Sequence, residues 1–336
     1  STHTIEGGRT IGPSWLRNSV SNSAYKSFQA VGDYNKSLSH HNFGALVGYS
    51  WEEQTSKNLE GSRDNFPSND LPQIDVGAAS NMQNSGTTTE WALQSFFGRF
   101  KYNFMEKYLF ELTMRYDGSS RFPESDRYAL FPSFGIGWRV SEENFFKENQ
   151  NLNWVNNLKI KASAGKLGNQ NIGNYPYHSV YDFGFDYPFG NNFQQGAAVS
   201  ILVDPTLRWE ETTTYDIGFE TILKEGLLSA DINYFHRETT DILYAPGGSV
   251  SAVLGMTPSV MNTGSLKNSG WEFQLSHKNS IGKLNYNVST NFSVIKNSVI
   301  SLGVGNIEQL NGMVGNGSTL FVGYPMQLYY GYIADG

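Results

Sequence analysis

The segment KYLFELTMRYD, residues 107–117, alternates between apolar and polar side chains. The apolar positions are Tyr108, Phe110, Leu112, Met114 and Tyr116, and the polar positions are Glu111, Thr113, Arg115 and Asp117. Because successive side chains leave opposite faces of a pleated strand, a period of two predicts a β-strand with one apolar face. That face has a tyrosine at each end and apolar side chains between them, which is typical of a strand that crosses a bilayer.

The same alternation recurs along the chain. It is found in segments 43–51, 215–220, 228–234, 271–276 and 284–294. A water-soluble antiparallel sheet with one solvated face gives the same pattern. Such a face usually carries many Lys and Glu side chains, whereas the polar positions here are mainly Asn, Ser, Thr and Gly with single charges. This composition favours an enclosed polar interior, and therefore strands of a membrane barrel.

Short and long connections between the predicted strands alternate. The short ones are 105–107, 224–226 and 280–283, and the long ones are 53–89, 119–127, 167–206, 239–268 and 297–327. Outer-membrane barrels show this alternation because their periplasmic turns are short and their extracellular loops are long. Residues 141–156 form a longer connection on the short side. There, Ser141 followed by Glu142 and Glu143 predicts a capped helical turn.

Composition sets further bounds on the class of protein. The chain has 336 residues, 35 of them Gly, and an aromatic share of 14%, which suits a barrel wall with two aromatic girdles. A formal net charge of -7 and a pI near 5.4 offer no basic surface to nucleic acid. The absence of Cys is compatible with export through an oxidising periplasm. No apolar run approaches the ~18 residues of a membrane helix.

Eleven segments are predicted as strands. They are 25–35, 41–52, 90–104, 107–118, 128–140, 157–166, 208–223, 227–238, 269–280, 283–296 and 328–334. An open sheet of this size would leave backbone amides unpaired in hydrocarbon. We therefore predict an all-β fold in which residues 1–336 form part of a larger transmembrane antiparallel β-barrel. With no signal peptide and no initiator Met before Ser1, the chain is interpreted as an interior piece of a longer protein.

Several motifs, in one order along the chain, carry a resemblance to a known family. They are DGSSRF (Asp117, Gly118, Ser119, Ser120, Arg121 and Phe122), FPSFGIGWRVSEE (131–143), NLKIKASAGKLGNQNIGNYPY (157–177), DPTLRWEETTTYDIGFE (204–220), NTGSLKNSGWEFQL (262–275) and YYGYIADG (329–336). Together with the flanking strands they resemble the SusC/RagA family of TonB-linked outer-membrane transporters of Bacteroidetes. The likeness covers most of residues 91–336, whereas residues 1–90 carry few distinctive motifs.

The resemblance implies a barrel of about 22 strands with a plugged lumen, embedded in the lipid of the bacterial outer membrane. It further implies an N-terminal plug, a TonB box that engages the TonB complex, and a SusD-like surface lipoprotein as a lid. Such complexes import glycan or peptide fragments, and the resemblance implies no cofactor. Neither the plug nor the TonB box is visible in this sequence, so energy coupling rests on the resemblance alone. Whether transporter–lipoprotein pairs form dimers stays open.

Two sets of side chains are candidates for binding. The loop aromatics Tyr175, Tyr177, Tyr181, Phe183, Phe185, Tyr187 and Phe189 are expected near the outer mouth, where they could stack on sugar rings or hold apolar peptide side chains. Packing within the loop, a place in a girdle, or contact with the lid protein are the alternatives. The charged residues Arg99, Lys101, Glu111 and Arg115 are expected to face the lumen, in contact with a plug or with one another.

The sequence offers no catalytic or metal-binding constellation. Vicinal acids such as Glu210 and Glu211 would point to opposite faces of a strand, so they could not flank one glycosidic bond. The six histidines are scattered, and a zinc site needs three or four convergent ligands. We therefore predict a transporter rather than an enzyme. One alternative is a soluble or surface-attached β-sheet module that binds glycans, which would turn its apolar faces inward. A second is an outer-membrane barrel hydrolase, for which His178 and His236 are the rim-side histidines and no convincing nucleophile lies beside them.

Overall fold

A computed structural model describes residues 4–6, 9–11, 14–68, 70–190, 192–244, 253, 255–303, 320–326 and 328. In these residues the regular structure is mainly β-strand, with short 3₁₀ turns and one α-helix of a single turn. The strands are β1 (Thr4–Glu6), β2 (Arg9–Ile11), β3 (Trp15–Leu38), β4 (His41–Asp64), β5 (Gln83–Phe104), β6 (Tyr108–Ser119), β7 (Tyr128–Arg139), β8 (Val155–Asn169), β9 (Asp182–Phe183), β10 (Tyr187–Phe189), β11 (Asn192–Gln194), β12 (Ala197–Ala198), β13 (Ile201–Leu202), β14 (Glu210–Leu223), β15 (Leu228–Tyr244), β16 (Thr257–Pro258), β17 (Met261–Ile281) and β18 (Leu284–Ser301). The helix, α1, is Asn144–Lys147. No helix in the described part of the chain is long and apolar enough to cross a membrane.

Ten long strands form one sheet in the order β18-β17-β15-β14-β8-β7-β6-β5-β4-β3. Each long strand is hydrogen-bonded to the next long strand in the sequence, so the sheet is an up-and-down meander. The pairs from β6–β7 to β17–β18 are antiparallel. This arrangement confirms the predicted all-β, antiparallel fold.

The chain divides into two units by its internal contacts. The first unit contains residues 1–28 and 51–93, and the second contains residues 29–50 and 94–336. The first unit holds the beginning of β3, the end of β4, the beginning of β5 and the connection 65–82. The second holds the rest of these three strands and all later ones.

The first three long strands extend well beyond the predicted segments. Predicted strands 25–35, 41–52 and 90–104 are observed as Trp15–Leu38, His41–Asp64 and Gln83–Phe104. The prediction of a loop over residues 53–89 is therefore wrong, because only residues 65–82 connect β4 to β5. Apart from Leu59, residues 55–64 and 83–90 carry no large apolar side chain on either face, so they lack the alternation from which strands are predicted.

Later strands also extend into predicted loops. β15 continues to Tyr244 and β17 begins at Met261, which shortens the predicted connection 239–268. β18 continues to Ser301. The predicted strand 328–334 lies outside the described residues except for Leu328.

Tight turns join the long strands at one end of the sheet, which we term the turn end. They lie at Ser39–His40, Met105–Lys107, Lys224–Leu227 and Gly282–Lys283. Ser39, Met105 and Glu106 have φ of 52°, 53° and 56°, and Gly282 has φ of 61°, as tight hairpin turns require. Apart from the connection 140–154, which lies at the turn end as predicted, the long connections lie at the opposite, loop end. The predicted alternation of short and long connections is therefore confirmed.

The connection 140–154 departs from the predicted capping. A 3₁₀ turn at Val140–Glu142 precedes α1, and Glu143 occupies the position before the helix without a side-chain cap. The hydroxyl of Ser141 is buried and makes no hydrogen bond. Ser141 lies inside the 3₁₀ turn, too early to reach the free amides of α1, so its predicted capping role is wrong.

Candidate functional site

One face of the second unit is apolar and packs on nothing. Large side chains on it, among them Leu130, Ile136, Ile217, Val288 and Phe292, are 49–62% exposed. A soluble monomer rarely exposes a contiguous apolar surface of this extent. Hydrocarbon is the solvent that such a face requires.

The opposite, polar face of the second unit holds a pocket of about 750 Å³. Eight strands contribute polar side chains to its wall: Asn35, Asn42, Lys101, Glu111, Lys161, Asp216, Asn233 and Glu272. The polar face therefore offers a continuous surface of charges, hydroxyls and amides that a polar segment or solute can contact.

Ion pairs connect three strands on the polar face. Lys161 Nζ lies 2.9 Å from a carboxylate oxygen of Glu220 on β14 and 2.9 Å from one of Asp231 on β15. Lys159 Nζ reaches Glu220 at 3.4 Å, and Asn233 donates a hydrogen bond of 2.8 Å to Asp231. Charges in a membrane protein are expected on an interior or water-filled face. We define Lys159, Lys161, Glu220 and Asp231 as the charged belt.

The four predicted lumen residues lie on β5 and β6. Lys101 Nζ lies 3.4 Å from Glu111, which joins two of them across neighbouring strands. Arg115 pairs with Asp117 at 3.2 Å and places its guanidinium 5.2 Å from the ring centroid of Phe97. Arg99 is exposed and is brought into contact with none of the other three.

The DGSSRF hexapeptide ends β6 and forms the turn that leads to β7. The buried Ser119 accepts a hydrogen bond of 3.2 Å from the Arg121 amide through its hydroxyl. The Arg121 guanidinium donates to the Gln170 carbonyl at 3.1 Å, and its burial lowers the pKa of this guanidinium from its ordinary value. The hexapeptide thus fixes the connection β6–β7 against the start of the long connection after β8.

Phe122, the last residue of the motif, belongs to a buried cluster at the loop end. Its ring is fully buried and lies 5.0 Å from Trp209, which in turn lies 5.4 Å from Phe131. Leu207 is also fully buried. Trp209 donates from its indole nitrogen to the Arg127 carbonyl at 3.0 Å. Three of the family-like motifs, those that begin at Asp117, Phe131 and Asp204, therefore meet in one hydrophobic cluster.

A second set of contacts ties the ends of β14, β15 and β17 together. Arg208 donates to Asp241 at 2.7 Å, and this hydrogen bond raises the pKa of the arginine. Asn262 accepts from the Arg208 amide at 2.8 Å and donates to the carbonyls of Arg208 and Asp241, both at 2.8 Å. Nearby, Ile201–Leu202 and Thr257–Pro258 pair as short parallel strands. The connections 170–209 and 245–260 are thereby linked to each other.

The seven predicted loop aromatics lie in the connection 170–209, and the structure separates them into two groups. Tyr175 and Tyr177 form a small cluster with His178, whose ring lies 4.4 Å from Tyr177. The other five extend along short strands β9 and β10 and the turns beside them. Their exposed fractions are 70% for Tyr181, 85% for Phe183, 53% for Phe185, 68% for Tyr187 and 74% for Phe189. Packing within the loop, one of the alternatives, therefore fits Tyr175 and Tyr177 but not the five exposed rings.

At the turn end, one carboxylate gathers three donors. Glu143 accepts hydrogen bonds from the Tyr108 hydroxyl at 2.6 Å, the Trp138 indole at 3.0 Å and Lys107 at 3.1 Å. These hydrogen bonds, that of Tyr108 first, lower the pKa of Glu143 from 4.5 to about 2. Tyr108 and Trp138 are the aromatic residues that end the apolar faces of β6 and β7 at the turn end. We term this edge of the apolar face the aromatic band, and Glu143 fixes two of its rings.

Sequence reasoning missed the buried cluster around Trp209, the three hydrogen bonds of Asn262 to Arg208 and Asp241, and the three hydrogen bonds that Glu143 accepts. Trp209 and Asn262 lie inside segments that had been singled out as motifs, but a motif does not name its distant partner. Among the described residues, no group of three or more His, Asp or Glu side chains could hold a metal ion.

An antiparallel sheet with an unpacked apolar face, an ion-paired polar face, tight turns at one end and long connections at the other defines the class of outer-membrane β-barrel proteins. The comparisons with known proteins agree. The family model "TonB dependent receptor-like, beta-barrel" matches residues 2–331. The chain belongs to this family of TonB-dependent receptors, which places it in the bacterial outer membrane.

Individual proteins of known sequence show the same similarity. The TonB-dependent receptor P3 of Formosa agariphila is 31% identical over 272 residues, covering 80% of this chain and 26% of that protein. The TonB-dependent receptor SusC of Bacteroides thetaiotaomicron is 35% identical over 219 residues, covering 62% of this chain and 21% of that protein. The chain thus spans about a quarter of the length of the relatives it matches, and these relatives are receptors by name.

Solved structures show the same fold. The RagAB peptide transporter matches 92% of this chain and 34% of its own chain with a TM-score of 0.80 and 27% sequence identity. The outer-membrane transporter YddB of Escherichia coli, at 12% identity and a TM-score of 0.55, shares the fold alone. The predicted SusC/RagA resemblance is confirmed, and the alternative of a soluble glycan-binding module is not supported.

Proposed function

We propose that the protein containing this chain imports oligosaccharide or peptide fragments across the outer membrane in a TonB-dependent manner. Residues 1–336 supply part of its barrel wall and of its outer loops. The observation that carries the proposal is the match of nearly the whole chain to the wall of a transporter, with an apolar face outward and an ion-paired face inward. Transport of this kind needs a lined passage and no chemistry on the solute.

The polar face is the surface that a plug domain would contact. The charged belt and the pair Lys101–Glu111 present paired charges on this face. Asp216, Asn233 and Glu272 line the same pocket as Lys101, Glu111, Lys159 and Lys161. Arg99 and Arg115 lie on the same face. In this proposal the wall holds a removable polar segment through exchangeable ion pairs, while the apolar face contacts lipid.

The exposed loop aromatics are proposed to face either the transported solute or a SusD-like lipoprotein lid. Five large rings, Tyr181, Phe183, Phe185, Tyr187 and Phe189, project from a connection at the loop end. Aromatic side chains of this kind are enriched in interfaces and binding pockets. Pairing of two such transporter–lipoprotein complexes into a dimer stays open.

The test is uptake in the natural host. Deletion of the gene should abolish accumulation of either labelled oligosaccharides from digested polysaccharide or labelled peptides from digested protein, and a plasmid copy should restore it. Collapse of the proton gradient should abolish uptake in the complemented cells as well, because TonB coupling depends on an energised inner membrane. Unchanged uptake of both mixtures in the deletion strain would refute the proposal. Affinity purification in mild detergent should recover a lipoprotein with the transporter.

A further inference from the structure

The first unit extends three strands past the length that a bilayer requires. A crossing takes roughly 9–11 residues, whereas β3 and β4 each have 24. Trp15 shares a strand face with Ser21 and Ser23, whose hydroxyls form hydrogen bonds with Asn58 and Ser56 of β4. Trp15 is therefore 51% exposed on a polar face, and contact with lipid does not explain its exposure.

Trp15 lines a pocket of about 600 Å³ that we term the distal pocket. Its walls come from the first residues of β3, the last residues of β4 and residues 80–83. Trp15, Arg17, Asn81 and Gln83 are among its lining side chains, and Met82 is the other large apolar residue.

The frame of the distal pocket is rigid. The Ser14 hydroxyl donates to the Phe66 carbonyl at 3.2 Å and accepts from the Phe66 amide at 2.9 Å, and both residues are buried. Arg63 donates to the carbonyls of Asp75 at 3.0 Å and Gly77 at 3.2 Å. The connection 65–82 is therefore fixed against the strand ends, and the pocket is formed before any ligand arrives.

Polar groups in the pocket remain available. Asn81 donates its amide nitrogen to the Asp64 carboxylate at 2.9 Å, which leaves its amide oxygen as an acceptor. Arg17 pairs with Glu60 through Nε at 3.2 Å, which leaves the two terminal nitrogens of its exposed guanidinium as donors. Within the described part of the chain, the side-chain amide of Gln83 has no hydrogen-bond partner. One aromatic face is thus surrounded by both donors and acceptors.

Both arginines of the pocket are paired, Arg17 with Glu60 at 3.2 Å and Arg63 with Asp75 at 3.5 Å. Asp64, the acid of the lining, accepts a hydrogen bond from the Asn81 amide and, among the described residues, forms no ion pair. No positive charge is therefore left unpaired to attract an acidic ligand. Trp15 and Met82 are the large apolar side chains of the lining, whose other residues are polar or charged.

We propose that the distal pocket binds a neutral oligosaccharide, with the Trp15 indole stacked on one sugar ring. Sugar hydroxyls both donate and accept hydrogen bonds, which fits Arg17, Asn81 and Gln83. The C–H face of a sugar ring is apolar and weakly positive, which fits the negative face of an indole. A role of this site in capturing solute before transport rests on the proposed import function, whereas binding itself does not.

The test uses the full-length transporter in mild detergent and isothermal titration calorimetry. The probes are cellohexaose, maltohexaose, laminarihexaose, xylohexaose and mannohexaose, with an equimolar set of hexapeptides as a second series. At least one hexasaccharide should bind. Trp15→Ala should weaken its binding about 10-fold, the loss expected when an aromatic contact of ~1.4 kcal/mol is removed. Gln83→Ala should weaken it to a smaller extent.

Leu71→Ala is the matched control, because Leu71 is an exposed apolar residue of the connection 65–82 that does not line the pocket. It should bind as the native protein does. Absence of hexasaccharide binding, equal binding by a folded Trp15→Ala protein, or Trp15-dependent binding of peptides alone would each overturn the proposal. If Trp15→Ala does not fold, the test passes to Gln83→Ala and Asn81→Ala. Weaker hexasaccharide binding by these variants supports the proposal, and unchanged binding by both overturns it. Trp15-dependent binding without uptake in cells would refute the import function and leave the distal pocket standing.

Discussion

The Glu143 carboxylate accepts a hydrogen bond of 2.6 Å from the Tyr108 hydroxyl, which joins the connection 140–154 to the first residue of β6. Trp138 and Lys107 donate to the same carboxylate. An outward aromatic ring ordinarily places its polar atom in the interfacial layer of the membrane. Here the Tyr108 hydroxyl and the Trp138 indole nitrogen both donate to one carboxylate of the protein. The aromatic band at the turn end is therefore fixed by the protein itself.

This relationship predicts a pH dependence. The folded-state pKa of Glu143 is lowered to about 2 from 4.5, so the stabilisation that Glu143 contributes is complete above pH 4.5 and is lost as the pH falls from 4.5 toward 2. Melting temperatures of the native protein and of Glu143→Gln, measured in detergent from pH 7 to 2, should differ by a constant amount above pH 5 and converge below it. Tyr108→Phe should show a smaller convergence. Parallel curves down to pH 2 would contradict the assignment.

The orientation of β6 predicts opposite responses at adjacent positions. Leu112 lies on the apolar face and Thr113 on the polar face, paired with Phe134 and Ser133 respectively. Leu112→Arg near the bilayer midplane should cost about 2–4 kcal/mol, and Thr113→Arg much less. Denaturant titration of the full-length protein refolded in lipid vesicles measures both. Equal penalties, or the reverse order, would show that the two faces are wrongly assigned.

Lys161 should be coupled to both of its carboxylate partners. Lys161→Met leaves Glu220 and Asp231, which lie opposite each other on β14 and β15, with less compensation for their mutual repulsion. The variant should therefore be less stable than the native protein. Adding Asp231→Asn should recover part of the loss, with a coupling energy on the order of 1 kcal/mol. A double-mutant cycle on unfolding free energies measures it, and strict additivity would show that the pair is not coupled. Lys166→Met, which breaks a pair with Glu211, is the control in the same strand.

The sequence predicted strands only where their two faces meet different solvents. Residues 107–117 alternate because one face requires hydrocarbon and the other is polar, so their strand was found within a residue of its bounds. Residues 55–64 and 83–90 have water-compatible side chains on both faces, and their continuation of β4 and β5 left no periodic signal. The distal pocket depends on this continuation, so it could not be predicted.

Contacts between distant segments were likewise beyond reach. The DGSSRF motif was recognised, yet its Phe122 packs on Trp209, and the Trp209 indole bonds a carbonyl 82 residues away in the sequence. Glu142 and Glu143 were interpreted only as part of a capped helical turn. Three donors from two strands and a turn converge on Glu143, and only the register of β6 against β7 places them together.

The buried cluster at the loop end predicts which motif residues the fold requires. Phe122 is fully buried against Trp209, so Phe122→Ala should cost about 3–5 kcal/mol of unfolding free energy, the usual range for a buried aromatic ring. Phe145→Ala, which removes a ring of the same size that is 62% exposed at the turn end, should cost far less. Trp209→Phe should give an intermediate loss, because it keeps a ring in the cluster but removes the hydrogen bond to the Arg127 carbonyl. Denaturant unfolding of the three variants in detergent gives the order, and a Phe145→Ala loss as large as that of Phe122→Ala would mean that the cluster does not hold the loop end together.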